Sequence, residues 1–164
     1  MRIRKGIAIT VAALGFALVG CGVQPTGVIG AGESASGPTR GMRLYYASAA
    51  GLRAVPLIDR EVEDLNGVLK LLSLKPPADQ GGLTSLVHLG GYSATGSGTR
   101  VTVRLEGLYG ESGRDQATGQ LVCTLARAQS VLEPKVRTDD VEVTLRPSEG
   151  EALGPYRCPE FLNG

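Results

Sequence analysis

Between Thr99 and Leu105 the chain alternates one for one: Val101, Val103 and Leu105 on one side, Arg100, Thr102 and Arg104 on the other. A period of two is that of a half-buried strand. Val141, Val143 and Leu145 repeat it, and Pro147 closes that strand. Leu44-Tyr45-Tyr46-Ala47 is aromatic-rich and predicts a strand, Ala49-Ala50-Gly51 a turn, and Leu52 to Ile58 a returning strand. Pro56 has no N–H to donate, which puts the second strand at an edge. The pattern then changes period. Val62, Leu65, Leu69 and Leu72 recur at spacings of three and four, predicting a helix from Arg60 to about Leu74 capped by Asp59 and stopped by Lys75-Pro76-Pro77. Leu86 to Leu89 is expected as a short strand and Gly90 to Gly98 as a turn region. Ser112 or Asp115 can cap a second helix reaching about Leu132, with Leu121, Leu125, Ala128 and Leu132 inward and Pro134 ending it. The tail from Ser148 to Gly164 carries Tyr156, Cys158 and Phe161, enough to pin it but not to add an element. The expected fold is α+β, a mainly antiparallel sheet with two helices packed on one face, spanning residues 43–164.

The first 42 residues follow another logic. Arg2, Arg4 and Lys5 precede an uncharged, largely apolar run from Gly6 to Gly20, the arrangement of a secretory signal. The run falls short of the roughly 20 apolar residues that cross a bilayer comfortably. Gly22 to Thr39 is rich in Gly, Pro and Ser and cannot bury enough apolar surface to order itself. As a flexible tether of 18 residues it reaches about 25 Å. At the junction, Leu18-Val19-Gly20-Cys21 resembles the lipobox of bacterial lipoproteins. That resemblance implies cleavage between Gly20 and Cys21, a diacylglyceryl group on the Cys21 thiol, and residence on the extracytoplasmic face of the cell membrane. The alternative is an ordinary signal peptide with an incidental cysteine. Two acyl chains hold a protein to a bilayer where a single myristoyl chain is marginal.

Composition narrows the rest. Removing the signal takes Arg2, Arg4 and Lys5 from the 17 basic side chains and none of the 16 acids, so 14 face 16 and the mature charge is near −2. Nucleic-acid binding wants a concentrated basic face, and this balance does not provide one. With Cys21 taken by lipid, Cys123 and Cys158 remain as an even pair on the oxidising side of the membrane. They are either bridged or two independent buried thiols.

The segment from about Arg43 to Leu145 resembles the GerMN domain of actinobacterial envelope lipoproteins. Leu44-Tyr45-Tyr46 with Leu52 to Pro56 matches its opening hairpin, and Val68 to Leu72 with Pro76-Pro77 and Gly82 to Leu86 its first helix and following loop. Gln120-Leu121-Val122-Cys123-Thr124-Leu125 matches its second helix. Two departures stand out: Lys75-Pro76 replaces the usual Gly-Pro, and Cys123 replaces an aromatic residue, which suggests a lineage-specific disulfide. The resemblance implies a non-catalytic binding or scaffold module working with an envelope protein partner. It supplies no catalytic residues and no cofactor.

Candidate chemistry is sparse. His88 is the single histidine, set among Leu86, Val87 and Leu89, and a catalytic triad or a zinc site needs partners around it. Gly91-Tyr92-Ser93-Ala94-Thr95 is one glycine short of a nucleophile elbow. Glu61, Glu63 and Asp64 read as a solvated helix start, with a cation site or acid–base pair as the sharper alternative. Asp139-Asp140 reads as a turn. Arg100 and Arg104 lie on an outer strand face, where an anionic wall polymer is the functional reading and plain solvation the other. The expectation is a lipid-anchored, non-enzymatic envelope module; the alternative is a receptor holding a small molecule or glycan between sheet and helices.

Overall fold

Strands β1 (Arg43–Ser48) and β2 (Gly51–Pro56) pair antiparallel as a hairpin. A computed structural model describes residues 41–58, 60–88, 90–106 and 113–162. The signal, Gly20, Cys21, the tether to Thr39, and also Asp59, Leu89 and Ser112 lie outside the described residues. The remaining strands, β3 (Tyr92–Ser97), β4 (Arg100–Leu105), β5 (Glu142–Pro147) and β6 (Leu153–Tyr156), form a separate four-stranded sheet in sequential order. The fold is α+β. Among the described strands only β4 and β5 run parallel; the other pairs are antiparallel.

The parallel pair follows from the connection between its strands. Helix α2 (Gln116–Leu132) and a 3₁₀ turn at Thr138–Asp140 carry the chain from the end of β4 back to the start of β5, as parallel neighbours require. Asp115 caps α2, its Oδ1 accepting from Thr118 N at 2.7 Å. The stripe of Leu121, Leu125 and Ala128 is buried as its spacing predicts, but so are Val122, Cys123, Thr124 and Ala126. A helix buried on all sides sits inside the protein. Here α2 packs against β1, against the four-stranded sheet and against helix α1 (Leu65–Leu72). Small residues make that possible: a Cβ on Gly119 would come within 2.8 Å of Leu52 Cδ1 and 2.9 Å of Phe161 Cδ1.

Four expectations change. Helix α1 starts at Leu65, not Arg60, because Asp64 is its cap, with Oδ1 accepting from Gly67 N at 2.7 Å; Glu61 and Glu63 therefore precede the helix. No strand forms at 86–88; Val87 is a lone buried anchor, and β1 is met instead by a bridge between Ala47 and Thr84. The region expected as a turn is β3, joined to β4 through Gly98-Thr99 with Gly98 at φ 56°, the positive φ that a tight hairpin turn demands. The tail adds β6 and helix α3 (Pro159–Leu162). In α3 the Glu160 Oε1 accepts from Arg157 N at 2.7 Å, and Phe161 meets Tyr156 edge-on at 5.7 Å.

Candidate functional site

The four-stranded sheet has one covered and one open face. Ala94, Val101, Val103, Leu105, Val143 and Leu145 are all buried on the helix side. The alternate positions form the open face, and the registers of β3, β4 and β5 set them in three rows. Ser97, Arg100 and Glu142 make the first row, a cation beside an anion. Thr95, Thr102 and Thr144 make the second. Ser93, Arg104 and Arg146 make the third, with two guanidinium groups on neighbouring strands. Arg104 and Arg146 are both exposed. Beside them lies a cleft of about 560 Å³ lined by Tyr92, Ser93, Arg104, Glu106, Arg146 and Ser148 among others.

Sheet edges would be alternative binding surfaces, and side-chain amides occupy two of them. Asn66 of α1 pairs with both backbone groups of Ala94 on the outer edge of β3. On β1, Gln120 Nε2 donates to Tyr45 O at 2.9 Å while Gln120 Oε1 accepts from Leu86 N at 2.8 Å, and Thr124 Oγ1 accepts from Tyr45 N at 3.0 Å. At the β3–β4 turn, Gln129 Nε2 donates to Gly98 O at 3.0 Å, and both Glu133 carboxylate oxygens lie 3.2 Å from Gly98 N.

The other sequence candidates scatter. His88 is exposed, its Nδ1 3.3 Å from Leu86 O, and lines a separate cleft of about 480 Å³ with Leu74, Pro77 and Leu83. Glu61, Glu63 and Asp64 line another of about 420 Å³, together with Arg60, Lys70 and Tyr92. Ser93 sits inside a strand, on its exposed side, which is not the sharp strand-to-helix turn of a nucleophile elbow. Asp140 pairs with Arg137 at 3.9 Å on the surface. Arg100 and Arg104 do share the open face, at opposite ends. Arg146 was not singled out by the sequence; its place in a plain alternating strand is the signal that it faces the same way.

Cys123 and Cys158 come together: their sulfurs are 2.07 Å apart, joined as a disulfide between α2 and the start of the tail helix. Among the described residues no group of three His, Cys, Asp or Glu side chains is placed to hold a metal ion. Among them, too, no helix is long and apolar enough to cross a membrane. Comparison with protein-family models, with curated proteins and with solved structures gives no match.

Proposed function

We propose that this protein is a lipid-anchored binding module of the GerMN type on the extracytoplasmic face of the cell membrane. In this reading Cys21 carries the anchor, residues 22–39 are the spacer, and the folded domain recognises an envelope component without catalysing a reaction on it. The observation that carries the recognition half is the open face of the four-stranded sheet. Helices cover its other side, yet this side presents rows of Ser, Thr and Arg to solvent. A flat, polar, hydroxyl- and guanidinium-bearing surface can hydrogen-bond a partner without exposing an aggregation-prone apolar patch.

The amide-closed edges at Ala94 and Tyr45 favour this face over strand addition at β1 or β3, because strand addition needs unpaired backbone groups. The core between sheet and helices is filled by buried aliphatic side chains, so a small ligand is better served by the open face than by that interior. Two measurements test the reading. Cells fed labelled fatty acid should label the wild type and not Cys21→Ala, which should leave the membrane fraction. A photo-crosslinking residue replacing Thr102 should give a discrete adduct in intact cells that one replacing Lys70, on exposed α1 surface, does not. An unlabelled wild type removes the anchor; identical adducts from both positions remove the open face.

A further inference from the structure

We infer that the Arg104–Arg146 end of the open face is a binding site for a phosphate ester of a polyol. The inference deepens the open-face reading above and rests on it for location only.

Arg104 and Arg146 are register partners across β4 and β5, on strands that lie about 4.8 Å apart. Like charges set directly opposite on a sheet are destabilising, so such a pair is expected to have a counter-charge. Among the described residues neither arginine is in an ion pair. The ion pairs there are Arg114–Glu160 and Arg137–Asp140. Glu142 stands at the far end of the face, opposite Arg100. Glu106, the residue after β4, lines the same cleft, but its carboxylate lies against Gly91, where a Cβ would overlap it, and it forms no ion pair with either arginine. Two adjacent cations are thereby left facing a cleft of about 560 Å³.

The lining indicates what enters. A guanidinium offers a planar fork of N–H donors that matches two oxygens of a tetrahedral oxyanion, and two forks side by side can hold three or four. Ser93, in the same row, adds a hydroxyl. Glu106 at the rim offers, as a carboxylate, acceptor oxygens and no donor. It disfavours a bare dianion and favours a ligand whose phosphate sits beside hydroxyl groups. Tyr92, at the start of β3, and Pro147, at the end of β5, border the same cleft beside the carbon skeleton. Phosphate, polyol hydroxyls and a short carbon chain are the common chemistry of a soluble glycerol phosphate and of a phosphatidylglycerol headgroup.

The test is a titration of the full chain in nonionic detergent micelles with glycerol 1-phosphate and with inorganic phosphate, read by calorimetry and by the arginine Nε–H resonances. Glycerol 1-phosphate should bind saturably and more tightly than inorganic phosphate. Arg104→Gln and Arg146→Gln should each weaken it about tenfold or more, and Arg104→Lys by less. Arg100→Gln, on the same face but two rows away, should not change it. The unliganded Arg146→Gln protein should melt no lower than wild type, since removing one of two like charges relieves repulsion; a purely structural arginine would lower it. Absence of saturable binding, equal binding by the Gln variants, or an equal loss from Arg100→Gln overturns the site. Competition separates the sources: phosphatidylglycerol vesicles displace the soluble probe if the headgroup is the ligand, and leave it bound, as phosphatidylcholine vesicles do, if a free ester is. Because this titration does not involve Cys21, the anchor and the anion site can fail independently.

Discussion

Asn66 treats Ala94 as a neighbouring strand would. Its Oδ1 accepts from Ala94 N at 2.8 Å and its Nδ2 donates to Ala94 O at 3.3 Å. A side-chain amide carries the same donor and acceptor as a peptide group, so one residue of α1 ends the sheet at β3 without another strand. Asn66→Ala should cost about 1–2 kcal/mol in urea unfolding, because water can partly replace the amide at this exposed position. Asn66→Asp keeps the acceptor and loses the donor, so it should fall between. A wild-type midpoint for Asn66→Ala would show that the pairing contributes nothing.

Gln120 makes the same kind of contact where water cannot rescue it. It is fully buried and joins Leu86 N to Tyr45 O. Gln120→Leu fills the volume but strands both backbone groups, at about 1–3 kcal/mol each. A total loss of about 2–6 kcal/mol is expected, with amide exchange quickening first at Tyr45 and Leu86. Thr124→Val removes only the acceptor for Tyr45 N and should cost about half as much. Unchanged exchange at both amides in Gln120→Leu would falsify the bridging role.

These contacts explain which parts of the fold could be read in advance. β4 and β5 alternate plainly, since each buries one face against the core, and the first hairpin shows by its aromatic run and its Ala49-Ala50-Gly51 turn. The long helix declares itself by Asp115 and Pro134. β3 does not, because Ala94 and Gly96 face the helices with little apolar bulk. A Cβ on Gly96 would run into Leu65 and Gln129, so helices pressing on that strand dictate small residues there, and small residues read as a turn. The expected cap of α1, Asp59, stands five residues before the observed one, Asp64, whose bond from Gly67 N fixes the start. Half of the arginine pair was visible from alternation alone. The pairing was not, since it depends on β4 and β5 lying side by side across 36 intervening residues, Glu106 to Val141.

The disulfide ties the innermost helix to the tail. Cys123 and Cys158 are both buried and 35 positions apart. By the chain-entropy argument, closing that loop stabilises the domain by roughly 3.5–4 kcal/mol. Reductant should therefore lower the melting temperature of the wild type and leave a Cys123→Ala/Cys158→Ala double variant unmoved at its already lower value. Because the link lies within the domain, reduction should not release the protein from membranes. Identical melting of oxidised and reduced protein would remove the stabilising role.

Tyr46 sets an alkaline limit on stability. It is 2% exposed in β1, and burial pushes its phenol above the ordinary value of 10.0. The sign follows from proton counting. Below about pH 10 both folded and unfolded chains keep this proton, so the residue adds no pH dependence. Above it the unfolded chain releases the proton while the folded chain retains it. Stability then falls with rising pH, by at most about 1.4 kcal/mol per pH unit, until the buried phenol ionises as well. Tyr46→Phe removes the titrating group while keeping the ring. Urea midpoints of the two proteins, taken from about pH 8 to about pH 11, should run parallel at first and converge or cross in the upper part of the range. Taking the difference between them cancels the titration of the other side chains. A difference that stays constant through pH 11 would mean that the Tyr46 hydroxyl reaches water in the folded protein and ionises there as it does in the open chain.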